Sequence, residues 1–205
     1  MADDATAREE IHEPVPPPMP TERAAAGGVS PLAASDARVM DLAAAVVERF
    51  PGTVAHDSHG QAVVYVERAS WNDVARFLRD EQRVTQCLDV TAVDHLRDEG
   101  RIAVSGVAAE RFEVVASYLS HPRNVRLRAI CEVPEADPTV ASLVDVFPSV
   151  DFAEREVFDM FGITFEGHPD LTRILMPDDW VGHPLRKDDA PARVPVTFKE
   201  DPGPR

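Results

Sequence analysis

The sequence predicts an α+β fold, in which a mainly antiparallel sheet is packed with helices and followed by an extended, proline-rich C-terminal strap. Two alternating segments, 111–119 and 124–133, flank His121-Pro122-Arg123 and are expected to form a hairpin. The helical patterns are grouped around the strands instead of alternating with each of them, which favours antiparallel pairing. Beyond Gly162, seven prolines and the lack of any sustained period exclude a long helix or a central strand.

The chain of 205 residues is long enough for one domain with appendages. Residues 1–34 are predicted to be a disordered tail, because 14–20 is proline-rich and 24–28 contains only alanine and glycine. We expect the α+β domain over 35–150 and a helix with a partner-docking strap over 151–188. An irregular tail is expected over 189–205.

The first half of the domain is predicted to contain two helices around a pair of short strands. Ser35 or Asp36 caps the first helix, which Pro51-Gly52 ends, and strands at 53–55 and 61–67 surround a turn at His59-Gly60. Ser70 caps the second helix. The apolar positions of the first helix are Val39, Leu42, Ala43, Val46 and Val47, and those of the second are Trp71, Val74, Phe77 and Leu78.

The second half is predicted from alternation and from proline positions. Residues 84–96 favour an extended segment, and the two strands of the hairpin follow. The inward side chains are Phe112, Val114, Ala116 and Tyr118, then Val125, Leu127, Ala129 and Cys131; Arg126, Arg128 and Ile130 face the other side. We expect a short helix over 139–147. Another helix begins at Ser149 or Asp151 and ends at Gly162.

Charge and cysteine content exclude several classes of protein. The formal net charge of −15 leaves no basic stripe for nucleic acid and disfavours an anionic membrane surface. No apolar run approaches the ~20 residues of a membrane span, and the acidic start MADDATAREE predicts no signal peptide. We therefore expect membrane association only through partners. Cys87 and Cys131 lie far apart and are expected to be buried thiols in a reducing cytoplasm.

The helix before Gly162 carries a charged side and an apolar side. Glu154, Arg155 and Glu156 span roughly 200° of its circumference and predict a solvated face, or alternatively a face that pairs with a partner subunit. Arg155 and Asp159 are four residues apart and are expected to meet. The apolar side consists of Val150, Ala153, Val157, Met160 and Phe161.

The strap combines irregular backbone with large apolar side chains. These are Phe165, Leu171, Ile174, Leu175, Met176, Trp180 and Leu185. Ordering such a segment costs ~1–2 kcal/mol per residue, whereas each buried large side chain returns ~1.5–3 kcal/mol. Because the domain core is not expected to receive them all, the pattern favours a partner surface over a loose segment.

The residue types of this region could serve three kinds of catalytic or metal chemistry. Metal ligands could come from His168, Asp170, Asp178, Asp179 and His183, but both histidines precede prolines and no spacing is diagnostic. Acid–base catalysis by Glu154, Glu156 or Asp159 would need a cleft that the sequence does not indicate. There is no GxSxG elbow, no Cys/His context and no glycine-rich phosphate loop. We predict no catalytic, cofactor-binding or metal residue, with a metal-dependent enzyme using His168 and His183 as the alternative.

The helix and the strap closely resemble the signature of a known family, the subunit lettered C of the bacterial proton-translocating NADH–quinone oxidoreductase, respiratory complex I. The matching segments are Glu154-Arg155-Glu156, Asp159, Phe161-Gly162, His168-Pro169-Asp170-Leu171, Arg173-Ile174-Leu175, Pro177-Asp178-Asp179-Trp180 and Gly182-His183-Pro184-Leu185-Arg186-Lys187-Asp188. Residues 88–94 resemble a weaker family element. Phe152, Thr172 and Asp189 stand where the family usually has Trp, Arg and Tyr.

The resemblance implies a non-catalytic structural subunit of the peripheral arm, on the cytoplasmic side of the cell membrane. It implies that the signature residues form a subunit interface, chiefly with the quinone-site subunit, which is lettered D. The subunit lettered B and the peripheral iron–sulfur subunits would lie nearby. FMN, iron–sulfur clusters, NADH and quinone would be bound by other subunits, and electron transfer to quinone would be coupled to proton translocation. Related complexes that use another electron donor, such as membrane-bound hydrogenases, remain an alternative.

Overall fold

The structure is a computed structural model that describes residues 37–189. The predicted N-terminal tail and residues 190–205 lie outside the described residues. The elements are α1 Ala37–Arg49, β1 Val54–Ser58, β2 Gln61–Tyr65, a 3₁₀ turn Arg68–Ser70, α2 Trp71–Asp80, β3 Gln86–Asp94, β4 Phe112–Ser120, β5 Val125–Val133, β6 Thr139–Ala141, a 3₁₀ turn Pro148–Val150, α3 Asp151–Phe161 and β7 Thr164–Glu166.

Five strands form one sheet in the order β1-β2-β5-β4-β3. Three of its four pairings are antiparallel, and β2 with β5 is parallel. The predicted hairpin of β4 and β5 is present in a continuous register from Phe112 opposite Val133 to Ser120 opposite Val125. The α+β class with a mainly antiparallel sheet is therefore confirmed.

One face of the sheet is covered by helices and carries the core. The inward residues of β4 and β5 predicted from alternation are all buried in a single apolar cluster with residues of α1, α2 and α3. In α1, Leu42, Ala43 and Val46 are buried as expected, whereas Val47 is 37% exposed. Both cysteines are buried and free, which agrees with the prediction.

The helix predicted over 139–147 is wrong. Thr139–Ala141 is instead strand β6, which pairs in parallel with β7, and its Val140 lies opposite Phe165. The local apolar spacing did not reveal this pairing, because the partner strand lies about 25 residues later in the chain. Ser70 precedes α2 as predicted, but its side chain makes no capping hydrogen bond.

Candidate subunit-docking site

Helix α3 is the frame on which the strap is built. It ends at Gly162, which adopts a left-handed φ of 73° and whose N–H donates to the carbonyl of Phe158 at 2.9 Å. A Cβ at this position would lie 2.6 Å from the ring of His183. Glycine is therefore required both by the backbone conformation and by the close approach of the strap.

The carboxylate of Asp159 is the main anchor of the strap. It is fully buried, and its Oδ2 accepts the backbone N–H groups of Ile174, Leu175 and Met176 at 3.1, 2.8 and 2.8 Å. Its Oδ1 lies 2.6 Å from Nη1 of Arg173. One side chain thus fixes four consecutive residues of the strap.

The electrostatics of Asp159 keep this anchor charged. Burial by itself would raise the pKa of the carboxyl, but the three backbone N–H donors and the Arg173 guanidinium outweigh it, so the pKa lies below its usual range. A charged acceptor also makes each of these hydrogen bonds stronger than a neutral one. The anchor is therefore ionised throughout the physiological pH range.

Arg155 does not pair with Asp159, so the predicted (i, i+4) contact is wrong. Its guanidinium donates instead to the carbonyl oxygens of Thr172 and Arg173 at 3.1 and 3.2 Å, and to Oγ1 of Thr172 at 2.9 Å. The same group lies 5.6 Å from the ring centroid of Phe152. Arg155 and Asp159 therefore hold adjacent parts of the strap.

Glu154 is buried, and the prediction that it belongs to a solvated face is wrong. Its Oε2 accepts from Oγ of Ser142 at 2.6 Å and its Oε1 from the backbone N–H of Leu143 at 2.7 Å. Burial raises the pKa of this carboxyl to about 7, although the two hydrogen bonds act in the opposite direction. Glu154 joins α3 to the turn after β6, whereas Glu156 is exposed as expected.

The two signature histidines are engaged separately. Nδ1 of His168 accepts the N–H of Asp170 at 3.1 Å, which leaves Nε2 to donate to the carbonyl of Asp151 at 3.3 Å. Nδ1 of His183 lies 3.0 Å from the carbonyl of Asp159. Those two carbonyls are eight helical residues apart, or ~12 Å along the axis at ~1.5 Å per residue, so the structure does not bring the histidines together.

No group of three or more potential metal-ligating side chains converges within residues 37–189. Asp178 and Asp179, which were candidate ligands, are both exposed. In the same part of the chain, no helix is long and apolar enough to cross a bilayer.

The end of the strap is fastened through Arg111, which sequence analysis did not select, and through Asp94, which lies in the weaker family element 88–94. Arg111 lies 2.9 Å from Asp94, 2.5 Å from Glu135 and 2.5 Å from Asp188. The backbone N–H of Lys187 donates to Oδ2 of Asp94 at 2.8 Å. A signal for Asp94 existed, because it continues the inward positions of β3 and a charge there requires a partner.

Further contacts place the rest of the signature. The N–H of Leu185 donates to the carbonyl of Met160 at 3.0 Å, and Nη2 of Arg173 donates to that of Gly182 at 3.1 Å. The Arg186 guanidinium lies 5.3 Å from the Phe112 ring. The remaining positions divide by exposure: Phe161 is buried, Leu171 and Trp180 are half-buried, and Pro169, Pro177 and Pro184 are exposed.

Several large apolar side chains of this region stay on the surface even though the strap is held in place. Leu171 and Met176 pack against the core, but others do not reach it. These surface residues, called the strap face below, are Phe152, Ile174, Leu175, Val181 and Leu185, with exposed fractions from 38% to 91%. A braced segment that presents apolar groups to solvent is typical of a protein–protein contact.

The described residues thus form an α+β domain whose braced strap carries an exposed apolar surface, as in proteins that dock onto a partner. The particular family follows from comparison with known proteins. The family model described as "Respiratory-chain NADH dehydrogenase, 30 Kd subunit" matches residues 64–194, and the chain belongs to this family.

Individual relatives agree with this assignment, and each is the subunit lettered C of an NADH-quinone oxidoreductase. The chain is 42% identical to the relative from Nocardioides sp. over 73% of its own length, and the match spans 56% of that relative. It is 42% identical to the relative from Geobacter sulfurreducens, covering 69% of this chain and 83% of the relative. It is 38% identical to the relative from Acidothermus cellulolyticus, and that match covers 79% of this chain and 82% of the relative.

Two solved structures share the fold. The trypsin-resistant fragment (1-134) of Nqo5 superposes with a TM-score of 0.55 at 28% identity, covering 65% of this chain and 99% of the fragment. The membrane-bound sulfane sulfur reductase, an archaeal respiratory membrane complex, contains a chain with a TM-score of 0.56 at 19% identity. That likeness covers 81% of this chain and 98% of the other, and it concerns the fold alone.

Proposed function

We propose that this chain is a non-catalytic structural subunit in the peripheral arm of NADH-quinone oxidoreductase, on the cytoplasmic side of the cell membrane. It supports the transfer of electrons from NADH through FMN and iron–sulfur clusters to quinone, coupled to proton translocation. Those cofactors are bound by other subunits. The observation behind this proposal is the strap face, because its apolar groups are held rigidly yet remain exposed.

The bracing of the strap reduces the cost of binding. An unstructured segment would lose backbone and side-chain entropy when it docks, and that loss would subtract from the affinity. Here Asp159, Arg155 and Arg111 already order the strap through contacts within the chain. Burying the strap face against a partner therefore contributes to affinity with little further ordering.

The chemistry of Glu154, whose side chain is fully buried, supports a structural role. Glu154 has a pKa near neutrality, as catalytic acids often do. However, both of its oxygens are occupied by Ser142 and Leu143, and the side chain is completely buried. A general acid or base must reach a substrate proton, so we assign Glu154 to joining α3 to the turn after β6.

We propose the quinone-site subunit, lettered D, as the main partner, with the subunit lettered B and the peripheral iron–sulfur subunits nearby. The strap face fits a protein partner, since its exposed side chains are apolar, and Asp178 and Asp179, which are close in sequence, add exposed charges of the kind found at interface rims. Contact with the membrane is then made only through the partners, and nucleic acid is excluded by the net charge of −15.

The experiment that tests this role is native electrophoresis of gently solubilised membranes, with mass spectrometry of the band that contains the chain. We expect a very large band with flavin, iron–sulfur and membrane-embedded subunits. The electron-input subunits found there identify the donor and separate an NADH enzyme from a related complex. A small soluble species without partners would contradict the proposal.

A matched pair of variants tests the strap face itself. Leu175→Asp places a charge on the strap face, whereas Ile102→Asp places one on an equally apolar but 91% exposed side chain in the loop before β4. We expect Leu175→Asp to reduce the amount of chain in the large band and Ile102→Asp to leave it unchanged. Equal assembly of the two variants would count against docking through the strap face.

A further inference from the structure

The face of the sheet that lies opposite the helices is divided by charge. At one end, Glu113 of β4 and Glu132 of β5 are cross-strand neighbours. The chain covers them with its own loop, residues 95–110, from which Arg101 Nη2 reaches Glu113 at 2.6 Å and Glu132 at 2.5 Å. Within the chain, the acidic half of this face is thus covered by a segment that brings in a cation.

The other half, towards the β4–β5 turn, has the opposite charge, and Arg126 there is exposed among the described residues. Arg126 and Arg128 point outward from β5, where Leu119 lies opposite Arg126 and Ser117 opposite Arg128. Among the residues the structure describes, neither arginine forms an ion pair, and Arg128 only donates to Oε1 of Gln61 at 3.0 Å. Because the chain has a net charge of −15, a lack of carboxylates in the sequence does not explain why these two arginines form no ion pair among the described residues.

The same end of the sheet holds two more arginines without an ion pair in the described chain, Arg83 before β3 and Arg123 in the turn. Among the described residues, the Arg123 guanidinium donates to the side chain and the carbonyl of Gln82. The carboxylates at this end of the described sheet include Asp89, which lies opposite Ser117 on β3, and Asp57, whose Oδ1 accepts the N–H of Gly60. The four arginines outnumber these two carboxylates.

The surface between these groups is concave and partly apolar. Two depressions adjoin there and share Gln61 and Arg126 as lining residues. Leu88, which is 45% exposed, lines one of them, and Leu119 lines the other. We call this surface the arginine groove, and it consists of Gln61, Leu88, Leu119, Arg126 and Arg128.

We propose that the arginine groove docks an acidic, partly apolar segment of another protein. Guanidinium groups bind carboxylates with two parallel hydrogen bonds, and Leu88 and Leu119 offer apolar contacts beside them. The groove lies on the face opposite α3, so it is a second interface that goes beyond the docking role of the strap. At the other end of this face, a loop arginine, Arg101, covers two glutamates of the sheet, Glu113 and Glu132. In the arginine groove the charges are reversed, because the sheet carries the arginines and the docked segment would carry the carboxylates.

A protein segment fits the groove better than a membrane or a nucleic acid. The net charge of the chain repels an anionic bilayer and a phosphate backbone, which bind extended basic surfaces. The groove has only two outward arginines with leucines between the polar groups. A short acidic segment with one or two apolar side chains matches both features.

The test uses the full chain in its native membranes, with a photoreactive amino acid in place of Leu88. We expect cross-links to a protein peptide that contains Asp or Glu close to the linked position. In the charge reversal Arg126→Glu/Arg128→Glu, the yield of this product should fall about tenfold or more, because like charges then face each other. Replacing the acidic residues of the linked peptide with Lys should restore it. Cross-linking to lipid alone, or a yield unaffected by the reversal, would overturn the proposal.

Two controls distinguish the loss of a specific contact in the arginine groove from a general effect of charge and from unfolding. Arg97→Glu reverses an exposed arginine outside the groove that has no ion pair in the described chain, and it should leave the cross-link unchanged. If the reversal lowers the melting temperature, Arg126→Gln/Arg128→Gln is used, and it should still reduce the yield severalfold. A wild-type chain absent from the large membrane band contradicts the proposed function. An assembled chain with an unaffected cross-link contradicts only the arginine groove.

Discussion

Asp159 of helix α3 and Arg173 of the strap form an ion pair of 2.6 Å whose carboxylate is completely buried. The same carboxylate accepts three backbone N–H groups of the strap, from Ile174, Leu175 and Met176. The strap is therefore held by a carboxylate, that of Asp159, which is not exposed to solvent. Such a carboxylate stabilises the fold only while all its partners are in place.

Asp159→Asn is expected to lower the free energy of unfolding by about 3–5 kcal/mol, the usual cost of removing one partner of a buried ion pair. The amide keeps only one acceptor oxygen, so its NH2 group must face either the strap N–H groups or the Arg173 guanidinium, all of which are donors. Urea unfolding measures the loss, and trypsin cleavage after Arg173 should become faster. Asp178→Asn, an exposed change in the same strap, should stay within about 0.5 kcal/mol of the wild type. Unchanged stability and cleavage in Asp159→Asn would refute the anchoring role.

Glu154 makes the stability of the protein depend on pH. Its pKa is raised from 4.5 to about 7 in the folded chain, mainly by burial. The folded state binds this proton more tightly than the unfolded state, so the contribution is complete below pH 4.5 and is lost as the pH rises through about 7. The expected change is a few kcal/mol, at ~1.4 kcal/mol per pKa unit.

Glu154→Gln should therefore flatten this part of the pH profile, because the amide stays neutral and its oxygen still accepts from Leu143. Relative to the wild type, the variant should gain stability between pH 5 and pH 8, by about 2–3 kcal/mol. Urea unfolding at both pH values measures the difference. Glu156→Gln changes an exposed neighbour and should leave the profile as it is. A wild type as stable at pH 8 as at pH 5 would contradict the assignment.

The sheet and the main helices could be predicted because their signals are local. The period of two in β4 and β5 correctly placed the eight side chains that were predicted to point inward, although Ser120 and Val133 are buried as well. In contrast, the residues of β6 were predicted to be helical. Their extended conformation depends on pairing with β7, which their local sequence does not reveal. Short strands of this kind depend on a partner that no local pattern identifies.

The polar contacts of the site were beyond prediction for the same reason. Glu154 appeared to belong to a charged helix face, but its partners Ser142 and Leu143 lie in a different element. The contact of Arg111 with Asp188 spans 77 positions in the chain. The apolar content of the strap predicted a partner, whereas the internal bracing of the strap depends on such long-range pairs.

Arg111→Met is expected to lower the free energy of unfolding by about 3–5 kcal/mol, because Asp94 remains buried without its cation. Adding Asp94→Asn should recover part of this loss, since the uncompensated charge is removed. Asp188→Asn alone should cost less than about 1 kcal/mol, because the Asp188 side chain is 44% exposed. Urea unfolding of the three variants at one pH tests the order. Additive losses in the double variant would show that Asp94 and Arg111 act independently.

Gly162→Ala should be destabilising for two separable reasons. The left-handed backbone of an L-residue costs about 1–2 kcal/mol, and the new Cβ would also meet the ring of His183. Gly167→Ala is the matched control, because Gly167 has a similar φ of 84° but nothing within 4 Å of an added Cβ. We expect Gly162→Ala to melt at a lower temperature than Gly167→Ala. If the two variants melt together, the close approach of His183 has no energetic consequence.

Arg155→Ala is expected to impair assembly more than folding. Arg155 is half-exposed, and its three hydrogen bonds go to Thr172 and Arg173, so the domain core loses no buried contact. The strap face, however, then has to be ordered when the partner binds, and this cost weakens docking. Thermal unfolding of the purified chain and the yield of the large membrane complex should be measured side by side, with Glu156→Ala as the exposed control on the same helix. Trp180→Ala should behave like Arg155→Ala, because Trp180 is half-buried within the strap. Early melting of either variant with normal assembly would show that these residues support the domain and that the strap does not determine docking.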